Sequence, residues 1–238
     1  NTVPYLPGYQ NVPVGNVNSY EVTGLNSITD YYYRVRFAVG DSCATSGYSN
    51  IVHVTTTGAP TYYSRGSGAL RDAIWSIAHN GPHCYGSWDD GNSSMVVQYG
   101  HTVTEADSDF VVVNDVRVDT GGTLGLGAVS GFYMIGNTAT FTGTVIAHDQ
   151  SSFAMYGSSA SHLQSAGGPL NLYSLDIETP DGTTTDATIN IRGTLDVGAG
   201  DFNTTSGNVT LISTAASTGR LGQLLAGTSY TGNLTVQR

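Results

Sequence analysis

The sequence predicts an all-β chain whose larger part is a right-handed parallel β-helix, a solenoid of short stacked strands. Composition is the first observation behind this. The 238 residues include no lysine and only three glutamates, so residues that favour helix interiors are nearly missing, while the plentiful threonine, valine and tyrosine favour a pleated surface. The second observation is a recurrence. Gly100-His101-Thr102-Val103, Gly122-Thr123-Leu124 and Gly143-Thr144-Val145 place apolar residues at 103, 124 and 145, a spacing of 21. Third, Gly207-Asn208-Val209-Thr210 and Gly232-Asn233-Leu234-Thr235 echo each other at a spacing of 25. Units of about 20–30 residues that cannot bury an apolar face alone stack and share one core.

An antiparallel sandwich with irregular loops also yields short strands at regular spacing. Pairing direction around Val103, Leu124 and Val145 separates the two architectures. Gly193-Thr194-Leu195 follows Gly143 by 50 residues and reads as the same position two turns later, with 170–177 as a strand between. Threonine, serine and asparagine suit the corners and can form ladders down the stack.

Taken in order, residues 1–57 read as one region. Segments 18–25, 31–39 and 50–57 alternate as strands do, with Tyr31, Tyr33, Val35 and Phe37 on one face and Arg34 and Arg36 on the other. The turn-rich stretch 40–49 joins the last two. Residues 58–94 read as a linker or capping segment opening on Gly58-Ala59-Pro60. Within it, Leu70, Ala73, Ile74 and Ile77 have helical spacing, so 69–78 is either a short helix or a strand and turn. Residues 95–238 form the solenoid.

The charge is −10, from 18 acidic and 8 basic residues. Such a chain lacks the cations that neutralise phosphates, which argues against nucleic acid and anionic membranes as partners. No apolar run approaches the roughly 18 residues of a membrane span. Residue 1 reads as the start of a fragment or a processed form, since neither a start methionine nor a basic-then-apolar leader precedes the domain. The composition suits secretion. Cys43 and Cys84 are then either a disulfide closing a loop of about 40 residues, worth roughly 3–4 kcal/mol, or two unrelated thiols.

Carboxylate pairs are the obvious catalytic candidates in a solenoid groove. Asp89-Asp90 is adjacent, and Asp107 and Asp109 would share a strand face, but Asp89-Asp90-Gly91-Asn92 is also ordinary turn chemistry. Polygalacturonase-like enzymes add a Gly-His-Gly and an Arg-x-Lys; here Gly100-His101 continues as Thr102 and lysine is absent. The expectation is therefore no enzyme and no cofactor. His79, His83 and Cys84 have a near-ligand spacing without an evident fourth zinc ligand. Calcium suits an acidic extracellular chain better, although no loop has the alternating aspartates of a specific site. Exposed tyrosine on a rigid sheet is a good sugar or protein contact. Tyr5, Tyr9, Tyr62, Tyr63 and Tyr85 lie in loop-like stretches and are the candidate contacts, with module packing the alternative for Tyr62 and Tyr63. Asn92, Asn203, Asn208 and Asn233 open Asn-x-Ser/Thr sequons, a pattern frequent by chance in a threonine-rich chain.

Two resemblances extend this reading. The run Tyr20-Glu21-Val22-Thr23-Gly24-Leu25, then Thr29-Asp30-Tyr31-Tyr32-Tyr33-Arg34-Val35-Arg36, resembles strands E and F of a fibronectin type III domain. Ser46-Gly47-Tyr48-Ser49-Asn50 and the strand after it are similar to the family's exit. The resemblance implies a tyrosine corner at Tyr31 and covers only the C-terminal half of such a sandwich. The order Tyr62-Tyr63-Ser64-Arg65-Gly66-Ser67-Gly68, Gly100-His101-Thr102-Val103 and Gly121-Gly122-Thr123-Leu124 resembles large secreted proteins of the Bacteroidota, exported by type IX secretion, in which a β-helical module follows a fibronectin module. Those proteins carry a Trp soon after the Ser-Gly; here Trp75 comes later.

The resemblance implies an adhesin, stalk or structural spacer on the cell surface. Its partners would be flanking modules, the secretion machinery, and glycans or neighbouring copies of itself. The alternatives are a filament subunit assembled by strand complementation and a carbohydrate-binding or carbohydrate-cleaving β-helix.

Overall fold

The computed structural model describes residues 12–15, 17, 19–20, 22, 30–36, 46–55, 60–79, 81–82, 91–222 and 224–237. The chain divides into two compact units, Asn1–Gly58 and Ala59–Arg238. No helix occurs among the described residues.

In the first unit, Asp30–Tyr33 pairs antiparallel with Val52–Thr55, Tyr31 facing Val54. These are the cores of the strands expected at 31–39 and 50–57; the strand expected at 18–25 falls largely outside the described residues. Alternation places Tyr31 and Tyr33 together, half-buried, with ring centroids 6.4 Å apart. Tyr32, on the other side, stacks on His53 at 4.7 Å. The guanidinium of Arg34 lies 3.9 Å from the centre of the Tyr48 ring, and that of Arg36 lies 5.2 Å from it. The shared face expected for the two arginines is thus a grip on one tyrosine. Val35, placed on the tyrosines' face by alternation, is 68% exposed. A fibronectin-like sandwich is not shown by these two strands.

The second unit is a parallel β-solenoid of about seven turns. Each full turn contributes one strand to each of three faces. The first face runs from Thr61–Ser64 through Ser94–Val97, Val116–Val118, Thr138–Phe141, Ser161–Ser165, Thr183–Thr185 and Asp201–Asn203 to Ser229–Thr231. The second comprises Gly68–Ala69, Thr102–Thr104, Thr123–Leu126 and Thr144–Ala147, then Leu170–Leu172, Thr188–Ile191, Asn208–Ile212 and Leu234–Gln237. The third stacks Phe110–Val113, Gly131–Met134, Ser152–Met155, Ser174–Glu178, Thr194–Ala199 and Arg220–Leu221.

The decisive register is the expected one. Leu124 pairs with Val103 on one side and Val145 on the other, both in parallel, and Val209 pairs with Leu234. Parallel pairing excludes the antiparallel sandwich. Gly193-Thr194-Leu195 is a correction: Leu195 pairs with Leu175 on the third face and does not join the 103–124–145 column. The stretch 170–177 likewise divides, giving Leu170–Leu172 to the second face and Ser174–Glu178 to the third.

Alternation along each short strand sends one set of side chains inward. Val111, Phe132, Phe153, Leu175 and Leu195 form one buried column, and Val113, Met134, Met155, Ile177 and Val197 the next. Phe132 stacks on Phe153 at 5.7 Å, and Phe141 meets Phe153 edge-on at the same distance. Corners are closed by hydroxyls and glycines. Thr183 Oγ1 lies 2.6 Å from Thr179 Oγ1 and 2.8 Å from Ser161 Oγ, all three buried, so no hydroxyl there is left unpaired. Gly121 adopts φ +78°, and a Cβ there would sit 2.5 Å from the Tyr99 ring. Only glycine meets both demands.

The solenoid starts inside the segment read as linker or cap. Thr61–Ser64 pairs in parallel with Ser94–Val97, and Trp75–Ser76 adds an antiparallel strand that ends the sheet. The short helix considered for 69–78 is not formed. Asp72 folds back as a turn, its carboxylate accepting the Ala69 N–H at 2.8 Å, so Leu70 and Trp75 are buried while Ile77 is 55% exposed. Trp75 is fully buried and donates its indole N–H to the Leu70 carbonyl at 2.7 Å. The two motifs whose order carried the resemblance are physically joined. Ser64 Oγ lies 2.8 Å from His101 Nδ1 and accepts the Gln98 N–H, while Gly68 and Ala69 pair with Val103 and Thr104.

Candidate functional site

The third face carries the most distinctive outward surface. Its in-register parallel strands lie about 4.8 Å apart, so outward residues form files along the solenoid axis. One file reads Val112, Tyr133, Ala154, Asp176, Asp196. The aromatic rings lie on a diagonal across the files. Phe110 and Tyr133 have centroids 4.3 Å apart, and Tyr133 and Tyr156 are 5.5 Å apart. Gly131 permits this: a Cβ there would stand 2.4 Å from Tyr133 Cε2, so the ring lies across the glycine to reach Phe110. Phe110 is 57% exposed and Tyr156 47%. Phe110 and Tyr156 thus stand outside the core, and adjoining exposed rings of this kind are the candidates for a contact surface.

Carboxylates adjoin the rings. Asp176 accepts a hydrogen bond from Ser152 Oγ, and Asp196 follows it on the next strand. Glu178 closes over Gly198, where a Cβ would touch its carboxylate. Burial raises the Asp176 carboxyl above the usual range, and repulsion from Asp196 and Glu178 adds to this against the Ser152 hydrogen bond. Burial, then neighbouring carboxylates, also raise the Tyr133 and Tyr156 phenols, which keeps them protonated. The ensemble offers flat apolar rings, carboxylate acceptors and hydroxyl donors on a rigid ladder, the set that recognises a polyhydroxylated ring.

A second unusual group is Glu105, at the corner between the second and third faces. It is only 5% exposed. Oε2 accepts the Ser130 hydroxyl at 2.6 Å and the Gly127 N–H at 3.3 Å, while Oε1 is buried without a partner. Burial is the largest influence, and the carboxyl is pushed up to about 7. The nearby Asp109 reinforces the shift, and Arg71 opposes it.

The residues singled out from sequence have different places. Tyr62 packs half-buried against the core, and Tyr63 meets His79 edge-on at 5.6 Å. Tyr5, Tyr9, Tyr85, Cys43, Cys84, Asp89, Asp90 and His83 lie outside the described residues. Asp107 and Asp109 are not on a strand but in the turn after Thr102–Thr104: Asp107 accepts the Ala128 N–H, and Asp109 forms a bidentate pair with Arg71 at 2.9 and 3.0 Å. The shared strand face expected for them is corrected: no strand forms there, and each braces a corner. Among the described residues, no group of three or more His, Cys, Asp or Glu could hold a metal ion.

Sequence reasoning missed Phe110, Tyr133, Tyr156, Asp176 and Asp196. The signal was there: aligning Phe110-Val111-Val112-Val113, Gly131-Phe132-Tyr133-Met134 and Ser152-Phe153-Ala154-Met155 at the 21-residue period exposes the outward positions. Comparison with family models, with curated proteins and with solved structures gives no match.

Proposed function

We propose that the chain is a non-catalytic segment of a long secreted or surface-anchored bacterial protein, a stiff spacer whose third face contacts glycans. One observation carries the glycan reading: the diagonal Phe110–Tyr133–Tyr156, exposed at its two ends and half-buried at Tyr133, runs beside Asp176, Glu178 and Asp196 on a rigid parallel ladder. Rings so placed can stack on the apolar faces of successive sugars while carboxylates accept their hydroxyls. The spacer role follows from solenoid mechanics, since each turn is fixed by its neighbours. The surface location, type IX export, the fibronectin-like first unit with its Tyr31 corner, and flanking modules as partners rest on the motif order in the sequence.

The test is a glycan array probed with the intact chain and with Phe110→Ala and Tyr156→Ala. Retention of an ordered glycan signal by both variants would refute the assignment of this face. A cleaving β-helix is the second reading, and the raised Asp176 carboxyl beside Asp196 is what favours it, since a protonated acid next to a carboxylate is the pairing glycoside hydrolysis uses. Polysaccharide turnover lost in Asp176→Asn would replace the non-catalytic reading. Filament assembly by strand complementation predicts concentration-dependent polymers in sedimentation.

A further inference from the structure

Between Asn208–Ile212 and Arg220–Leu221 the chain leaves the ladder in a small self-braced loop. Ser213 bridges Thr218, and Thr214 Oγ1 accepts the N–H groups of Ala216 and Ser217 at 3.2 and 3.1 Å. The loop overhangs a cleft of about 510 Å³ lined by Gln150, Tyr173, Ser174, Thr194, Ser217 and Arg220, among others. Ser174, Thr194 and Arg220 are outward residues in one file of the third face, the file that begins at Phe110. The cleft is therefore the far end of the file that Phe110 opens. Five strand spacings separate the two ends, about 24 Å, which a short oligosaccharide spans.

The charge pattern of the cleft is the reverse of the chain's. The molecule carries a net −10, yet no carboxylate among the described residues lines this space. Each of the other described arginines is engaged: Arg34 and Arg36 on the Tyr48 ring, Arg71 with Asp109, Arg117 with Asp119, Arg192 with Asp149, and Arg65 in further contacts. Arg220 alone makes no side-chain hydrogen bond or ion pair among the described residues. The neighbouring Asp196 carboxylate is turned over Gly222, where a Cβ would collide with it. An unpaired guanidinium among hydroxyls, beside a tyrosine ring, has the donors for a planar or tetrahedral oxyanion.

We propose that this cleft is an anion subsite, and that it selects a glycan chain ending in one carboxylate- or sulfate-bearing sugar. This deepens the glycan reading of the third face and rests on it. Asp176, Glu178 and Asp196 lie on the same two strands as Ser174 and Thr194, two or four residues further along, so a polyanion laid over this face is repelled beside the cleft. The ligand is neutral in its body and anionic at the end that meets Arg220.

The test uses the intact chain and four probes, measured by calorimetry at low and high salt. These are a neutral β-linked hexose pentasaccharide, the same chain with one terminal glucuronate, the methyl ester of that glucuronate, and a terminal 6-sulfate. The glucuronate chain is expected to bind about tenfold tighter than its ester, the scale of one charge-assisted pair, with the advantage shrinking in salt. Arg220→Gln removes that advantage while leaving the affinity for ester and neutral chain unchanged, and its melting curve matches the parent's. A sulfate chain that binds tighter than the glucuronate chain supports a tetrahedral site, and the reverse order supports a planar one. Equal binding of acid and ester, or a preference that survives Arg220→Gln, overturns the anion subsite and leaves the glycan surface standing. No binding of any probe overturns both.

Discussion

Replacing Glu105 by Gln changes how stability depends on pH, and the structure sets the size of the change. In the folded chain the carboxyl is held at about 7 against an ordinary 4.5, chiefly by burial. The folded state therefore keeps a proton that the unfolded chain has released between pH 4.5 and 7. Stability is full below 4.5, falls as the pH rises through this window, and is flat above 7. A window about 2.5 pH units wide corresponds to about 3 kcal/mol. The amide introduced by Glu105→Gln cannot titrate, so the variant's profile lacks this fall. That amide stands where Oε1 has no partner, costing about 1–3 kcal/mol, but equally at every pH. The assay is urea unfolding followed by circular dichroism, from pH 4 to 8.5, for both proteins. The parent-minus-variant stability is expected to drop by about 3 kcal/mol across the range. Asp109, which Arg71 holds below the usual range, acts with the opposite sign and only near pH 4 or lower. Asp176 drifts in the same direction as Glu105 but is common to both proteins. A difference that stays level from pH 4.5 to 8 would refute the claim that Glu105 is buried and protonated in this corner.

Further substitutions test the fold and the surface separately. Trp75→Ala removes a fully buried indole that ends the first-face sheet, and should cost about 3–5 kcal/mol in urea unfolding. Gly121→Ala demands a left-handed alanine under the Tyr99 ring, so a loss of about 1–3 kcal/mol is expected, and Tyr99→Ala in the same chain should relieve part of it. Tyr156→Ala, on an exposed ring, should leave the melting temperature within experimental error while reducing glycan binding, which separates surface function from stability.

The face-to-face register was legible wherever one corner signal repeated at a constant period, and it failed where the period changed. On the third face, successive partners Phe110, Gly131 and Ser152 are 21 residues apart; Ser152 to Ser174 is 22, Leu175 to Leu195 is 20, and Thr194 to Arg220 is 26. Glycine followed by threonine marks a bend entering a strand, and any of the three corners in a turn can use it. It therefore found column 103–124–145, as the glycine-asparagine echo found 209–234, but it could not tell that Thr194 begins a third-face strand. The site was hidden for a related reason. Sequence suggests exposure for tyrosines in loops, whereas on a solenoid the strands themselves also turn side chains outward. An aromatic residue between two apolar ones, as Tyr133 is between Phe132 and Met134, reads as core until pairing fixes which residues point in. Glu105 was invisible for the opposite reason, since a lone glutamate after Thr102-Val103-Thr104 reads as a solvated corner, and it is the corner one turn on, with Gly127 and Ser130 bonded to it, that encloses it. In a stacked fold, then, the chemistry of a residue is set less by its sequence neighbours than by the residue one turn away, and the period that names that residue must be read turn by turn.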